Sequence, residues 1–195
     1  KSERGVLIVG HDRGGFTTEH VQKFADQLGW PLISEDPLSL KGSIAHASLF
    51  LASTSIAKDF TPRTVIVIGR TTLSRSINNY IALADKQIVI DSRIATVDTD
   101  RNADKRFTQI PTLESNEADS EWLEKWQKFS ERCTKELEKI TEWSEPVLAR
   151  TLAANVKNGT TLFVSSSRPV RDIEAFASAR LGVETFANRG LAGID

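Results

Sequence analysis

Arg63-Thr64-Val65-Ile66-Val67-Ile68-Gly69 is a run of β-branched residues ending on a glycine. Side chains of that shape favour the pleated environment of a strand, and a run with no polar alternation reads as a strand covered on both faces. Working downstream, the spacing predicts a helix from about Leu73 to Ala84, and then a second buried strand at Gln87-Ile88-Val89-Ile90-Asp91. Upstream, Gly5-Val6-Leu7-Ile8-Val9-Gly10 is another apolar run bounded by glycines. Phe16, Val21, Phe24, Ala25 and Leu28 follow it at helical spacing, with Thr17 or Thr18 available as N-cap and Gly29 at the C′ position. Trp30-Pro31-Leu32-Ile33 resumes extended structure, and Ile44 to Leu51 reads weakly as a helix. Repeated strand–helix–strand units imply parallel strands, because the crossover between them is nearly always right-handed. The fold class is therefore α/β, a Rossmann-like, mostly parallel sheet with helices on both faces.

The pattern then changes. Trp122, Trp126, Phe129, Cys133, Leu137 and Ile140 return every three or four residues, which predicts one long helix from Asp119 to Ile140 with its aromatic stripe in the core. Cys133 lies on that stripe and reads as a packed residue, not a nucleophile. Ser144-Glu145-Pro146 can cap and open a new helix running to Asn158-Gly159. A strand at Thr160-Thr161-Leu162-Phe163-Val164, a helix near Pro169-Val170 and a last strand at Val183 to Phe186 complete the chain. A boundary near Glu142 divides it into a central domain, residues 1–141, and a second α/β unit, residues 142–195. About 50 residues carrying two strands bury too little apolar surface to stand alone, so the second unit reads as truncated.

Composition limits the function classes. The 195 residues carry 25 Lys and Arg against 26 Asp and Glu, a net charge of -1, so no global field draws the chain to nucleic acid or an anionic membrane. No apolar segment approaches the length of a membrane span, and one cysteine cannot make an internal disulfide. These features predict a cytoplasmic protein. The sequence contains no methionine, opens on Lys1-Ser2-Glu3-Arg4 and stops at Gly193-Ile194-Asp195, which reads as a piece of a longer protein.

His11, His20 and His46 have no metal-ligand spacing to one another or to Cys133, and each reads as a surface or capping residue. No metal site is predicted. The loop Gly10-His11-Asp12-Arg13-Gly14-Gly15 occupies the place where dinucleotide folds hold pyrophosphate, but it lacks the G-x-G-x-x-G spacing, and sharp turning explains its glycines equally well. Gly69-Arg70-Thr71-Thr72-Leu73-Ser74-Arg75 joins a strand end to a helix start, where backbone N–H groups and two guanidiniums could receive an anion; a capped helix with exposed arginines is the other reading. Ser165-Ser166-Ser167-Arg168-Pro169-Val170-Arg171-Asp172 repeats that arrangement, and Phe186-Ala187-Asn188-Arg189-Gly190 repeats it at the next strand end. Parallel neighbours would bring Arg171 and Arg189 to one edge of a sheet, suited to a multiply charged acid.

These last motifs carry a resemblance. Ser167-Arg168-Pro169-Val170-Arg171-Asp172, Phe176-Ala177 and Asn188-Arg189-Gly190-Leu191-Ala192-Gly193-Ile194-Asp195 resemble the 2-succinyl-5-enolpyruvyl-6-hydroxy-3-cyclohexene-1-carboxylate synthases of menaquinone biosynthesis. Gly29-Trp30-Pro31-Leu32, the strand ending in Gly69-Arg70, the helix with Arg75 and Ser144-Glu145-Pro146 fall in the same order, so the resemblance covers essentially the whole chain. It implies thiamine diphosphate and Mg2+ as cofactors, and 2-oxoglutarate and isochorismate as substrates. The chain would be the central domain plus the first strands of the diphosphate-binding domain, inactive by itself, with the activating glutamate and the metal ligands outside it. By the same resemblance Ser167 is catalytic and faces the cofactor, Ser166 lies beside it, Arg171 and Arg189 bind substrate carboxylates, and Arg75 reaches the site from the central domain. Ser166 and Arg168 depart from the residues common at those positions. A homodimer or homotetramer is implied. Two other readings stand beside this one: another thiamine-diphosphate decarboxylase or carboligase, and a noncatalytic domain in which Arg13, Arg70, Arg75 or Arg93 holds a regulatory acid.

Overall fold

The computed structural model describes residues 4–71, 73–93, 103–113 and 118–188. Five parallel strands form the first sheet: β1 (Gly5–Val9), β2 (Leu32–Ser34), β3 (Thr64–Ile68), β4 (Lys86–Ile90) and β5 (Lys105–Phe107). Their order is β2-β1-β3-β4-β5. All five residues of β1 and all five of β3 are buried, as their unbroken apolar runs require.

Alternation along these strands divides the core. Val6, Ile8, Val65 and Val67 face one layer, and Leu7, Val9, Ile66 and Ile68 face the other. On the second side lies α1 (Thr18–Leu28), burying Val21, Phe24, Ala25 and Leu28. Thr17 accepts from His20 N at its start, and Gly29 ends it with φ of 61°, a conformation that costs glycine little. On the first side pack α2 (Ala47–Phe50), α3 (Thr54–Asp59), α4 (Arg75–Ile81) and α5 (Ser120–Glu138). Helix α4 is shorter than the predicted Leu73 to Ala84: Ser74 caps its start by accepting from Ile77 N, and it ends at Ile81. Asp119 caps α5 through Trp122 N. The stripe on α5 is core: the Trp126 ring meets Phe60 edge-on at 4.7 Å and Tyr80 at 5.8 Å. Cys133 is half-buried against that cluster, and burial pushes its thiol up, away from the reactive thiolate.

Beyond α5, α6 (Glu145–Asn155), β6 (Thr160–Val164), α7 (Arg168–Phe176) and β7 (Val183–Ala187) form the second unit, whose two parallel strands make a separate sheet. Ser144 occupies the N-cap position of α6 but makes no capping bond; its hydroxyl donates to Glu142 O instead. The unit is not self-contained. Its core includes Leu38 and Leu73 from the first unit, beside Ala149, Ala153, Ile173 and Val183. The seam is backbone-bonded: Val183 N donates to Leu38 O at 3.2 Å and Arg180 N to Pro37 O at 2.9 Å.

Two expectations are corrected here. His46 is neither a surface nor a side-chain-capping residue. It is 2% exposed, precedes α2 with φ of 63°, and its Nδ1–H donates to Ala175 O at 2.9 Å across the seam. Burial, with the Arg150 charge as a lesser cause, holds its pKa below the ordinary value against the pull of that carbonyl. Of the region read as one helix from Ile44 to Leu51, only α2 is helical, and a separate α3 follows beyond it.

Candidate functional site

The carboxyl ends of β1, β3 and β6 carry the loops singled out from sequence, and they behave differently. At the first, between β1 and β3, the two loops touch through their backbones. Arg70 N donates to Asp12 O at 2.8 Å, and a Cβ on Gly10 would lie 2.1 Å from Arg70 O. Gly69, at φ of 72°, leaves only 1.9 Å to Asp12 O for any added carbon. The glycines of this loop thus serve close chain approach, the structural reading of the two.

The charges around this crossing are already satisfied inside the protein. Arg93 bonds both Asp12 and Asp91 at 2.7 Å. Burial works against the Asp91 carboxylate, but the Arg93 bonds outweigh it and hold Asp91 below the usual range. Arg13 lies 3.8 Å from Asp36 and 3.4 Å from Glu184. Glu35, 2% exposed, takes His11 N on one oxygen at 3.0 Å and Leu73 N on the other at 2.8 Å. The anion predicted at the 69–75 strand end is therefore met first by an internal carboxylate. Sequence reasoning missed Glu35 because nothing in its spacing ties it to a loop 38 residues away.

The third strand end is open. Ser167 precedes α7 with φ of 70° and ψ of -124°, a region non-glycine residues rarely occupy, and its side chain makes no capping bond. Backbone held in such a conformation by its surroundings is concentrated at ligand-contacting positions. Ser166 N donates to Asn188 Oδ1 at 2.7 Å, tying the ends of β6 and β7 together. Arg171 is exposed and its Nε donates to Ser167 O at 2.9 Å, one turn back along α7. Arg168 pairs with Asp172 at 3.2 Å, so it is directed along the helix.

The structure brings two of the sequence-predicted residues together. Arg75 at the start of α4 and Arg171 on α7 line one cleft of about 800 Å³, whose walls come from α2, α3, α4 and α7. Ser74, Ser76, Asn79 and Lys58 add polar groups to it. Ser166 and Ser167 are not among its lining residues, although Ser167 O is held by Arg171. Arg189 lies outside the described residues. Among the described residues, no group of three His, Cys, Asp or Glu side chains could hold a metal ion, and no helix is long and apolar enough to cross a membrane. A residue unforeseen from sequence, Glu174, also lines the cleft; it is 7% exposed, and burial pushes its carboxyl up to about 8.

This parallel sheet, with its second unit docked at the strand ends, is matched by a family profile described as the middle domain of thiamine pyrophosphate, over residues 1–164. The chain belongs to that family. Curated relatives similar to the chain include proteins named 2-succinyl-5-enolpyruvyl-6-hydroxy-3-cyclohexene-1-carboxylate synthase. The protein of Thermobifida fusca is 29% identical over 199 residues, covering 99% of this chain and 36% of its own length. That of Saccharopolyspora erythraea is 26% identical over 202 residues, covering 100% and 36%. That of Lysinibacillus sphaericus is 29% identical over 216 residues, covering 100% and 38%. The chain therefore spans little more than a third of the length of these relatives.

Proposed function

We propose that this chain is the middle of a thiamine-diphosphate-dependent transferase that decarboxylates 2-oxoglutarate and adds the succinyl semialdehyde unit to isochorismate, as the relatives' name describes its product. The observation that carries this reading is the cleft in which Arg75 and Arg171, from different units, converge. Both substrates are dicarboxylates, and guanidinium groups give them bidentate, charge-assisted bonds. The thiamine diphosphate, when bound, supplies the electron sink for decarboxylation. What this chain's residues do is bind and orient. Ser167 presents an exposed hydroxyl at the mouth of α7, where a polar contact to the cofactor fits its forced backbone, and Arg171 braces that backbone through Ser167 O. Ser166 holds the neighbouring strand end through Asn188.

In this reading residues 1–141 are the central domain and 142–195 the opening of the diphosphate-binding domain, with Mg2+ ligands supplied outside the described residues. Arg189, next to Asn188, joins Arg171 as a carboxylate ligand. The assembled enzyme is a cytoplasmic homodimer or homotetramer. Of the alternative, a regulatory acid held by Arg13, Arg70, Arg75 or Arg93, two members are drawn off, since Arg13 and Arg93 are engaged by internal carboxylates.

The test is an assay of the full-length protein with magnesium, thiamine diphosphate, 2-oxoglutarate and isochorismate, beside Arg171→Ala and Arg189→Ala. Product formation, with each variant losing at least about a hundredfold in kcat/KM, is expected for a lost charge-assisted pair. Decarboxylation without use of isochorismate retains the cofactor and rejects the acceptor, and no reaction with either substrate sinks the proposal.

A further inference from the structure

The cleft has a floor that the arginines do not explain. Glu174 reaches it from α7 and Ser48 from α2, at 7% and 8% exposure. The Ser48 hydroxyl is buried without a hydrogen bond of good geometry, and its nearness to Glu174 works against the upward push of burial on that carboxyl. A buried hydroxyl without a well-placed partner, beside a buried carboxyl on the wall of an open cleft, leaves hydrogen-bonding capacity for whatever enters.

We propose that Glu174 and Ser48 are the floor of a carboxylate-binding subsite, in which the acid form of Glu174 donates to one end of a dicarboxylate whose other end meets Arg171 and Arg75. This rests on reading the cleft as a substrate site. An apolar surrounding can keep a carboxylic acid neutral at neutral pH so that it serves as a donor. A charge-assisted O–H···O⁻ bond is shorter and stronger than a neutral one. Ionised, the same group repels the anion it otherwise holds.

Two influences favour the acid form of Glu174 over the opposing contact from Ser48. Burial is the main cause, and the charge of Glu35 adds to it. His46, at the start of α2, is neutral and turned to Ala175 O. Asp172, on the same helix, is occupied by Arg168. Tyr80 donates its hydroxyl to Phe60 O, and burial raises it far out of the working range. Arg75, Arg171 and Lys58 are the cationic side chains lining the cleft. With its carboxyl raised to about 8, Glu174 changes charge between pH 7 and 9.

The experiment measures KM for 2-oxoglutarate in the full-length enzyme from pH 7 to 9, with succinate binding by calorimetry over the same range. Affinity should fall about tenfold across that interval, because only the protonated site binds and its midpoint lies near 8. The slope should vanish in Glu174→Gln. In Ser48→Ala, which removes a group that lowers the midpoint, the fall should shift to higher pH. A slope retained in Glu174→Gln, an unmoved midpoint in Ser48→Ala, or succinate affinity equal at both ends of the range overturns the subsite. If turnover is absent altogether, the proposed reaction fails, while the succinate titration still decides the subsite on its own.

Discussion

The two sheets share a parallel construction and differ in what covers them. In the first unit β3 is buried along its whole length, with helices on both faces. In the second, β6 is buried only at Val164; Phe163 is 66% exposed, and its cross-strand partner Phe186 is 46% exposed. One face of β6–β7 packs on α6 and α7, and the other has no cover among the described residues. A residue of the same chemical type therefore has a different energetic meaning in each unit. An aromatic in the first is held on all sides, and one in the second is held only by its strand.

Three measurements break or sharpen this contrast. Trp126→Ala should cost about 3 to 5 kcal/mol in urea unfolding, the range for removing a fully buried aromatic, whereas Phe163→Ala should stay within about 0.5 kcal/mol. Equal losses would mean the second sheet is covered after all. Next is the seam. The folded pKa of Glu174 is raised from 4.5 to about 8, so the unfolded chain releases its proton first and stability falls as pH rises through that window. Glu174→Gln should lack this fall, and its stability advantage over the unaltered protein should grow by about 2 kcal/mol between pH 6 and 8. A constant difference across that range would show the carboxyl to be solvated. The smallest effect concerns helix starts. Asp119→Ala removes an observed cap and should cost about 1 kcal/mol, while Ser144→Ala, where no cap bond forms, should cost a few tenths at most by the same measurement.

Much of the fold was legible because periodicity and caps are local. β1, β3, β4, α1, α5 and β6 follow from apolar runs, helical spacing, Thr17, Gly29 and Asp119. β5 was not, since Lys105-Arg106-Phe107 is an exposed edge strand with no apolar run to announce it. Helix α3 was missed for a similar reason, burying only Ala57 among its six residues. The stretch from Pro31 to Leu40 is buried throughout, yet Ser34-Glu35-Asp36-Pro37 reads as a polar loop. Its burial comes from the second unit lying over it, a non-local fact. His46 and Glu174 were obscured in the same way. For the site, Arg75, Ser167 and Arg171 stood out as residues at strand ends; that Arg75 and Arg171 share a cleft, and that Glu35 fills one predicted anion position, depends on packing between units.

Leu38 belongs to the second unit's core although it comes from the first unit's chain. A chimera joined between α5 and α6 would respect the connectivity and still split that core in two. Transplanting the second unit onto another enzyme's middle domain would require moving the 35–48 loop with it. The unit of exchange is thus not a continuous segment, and recombination at the apparent linker should give hybrids whose halves fit poorly along this seam.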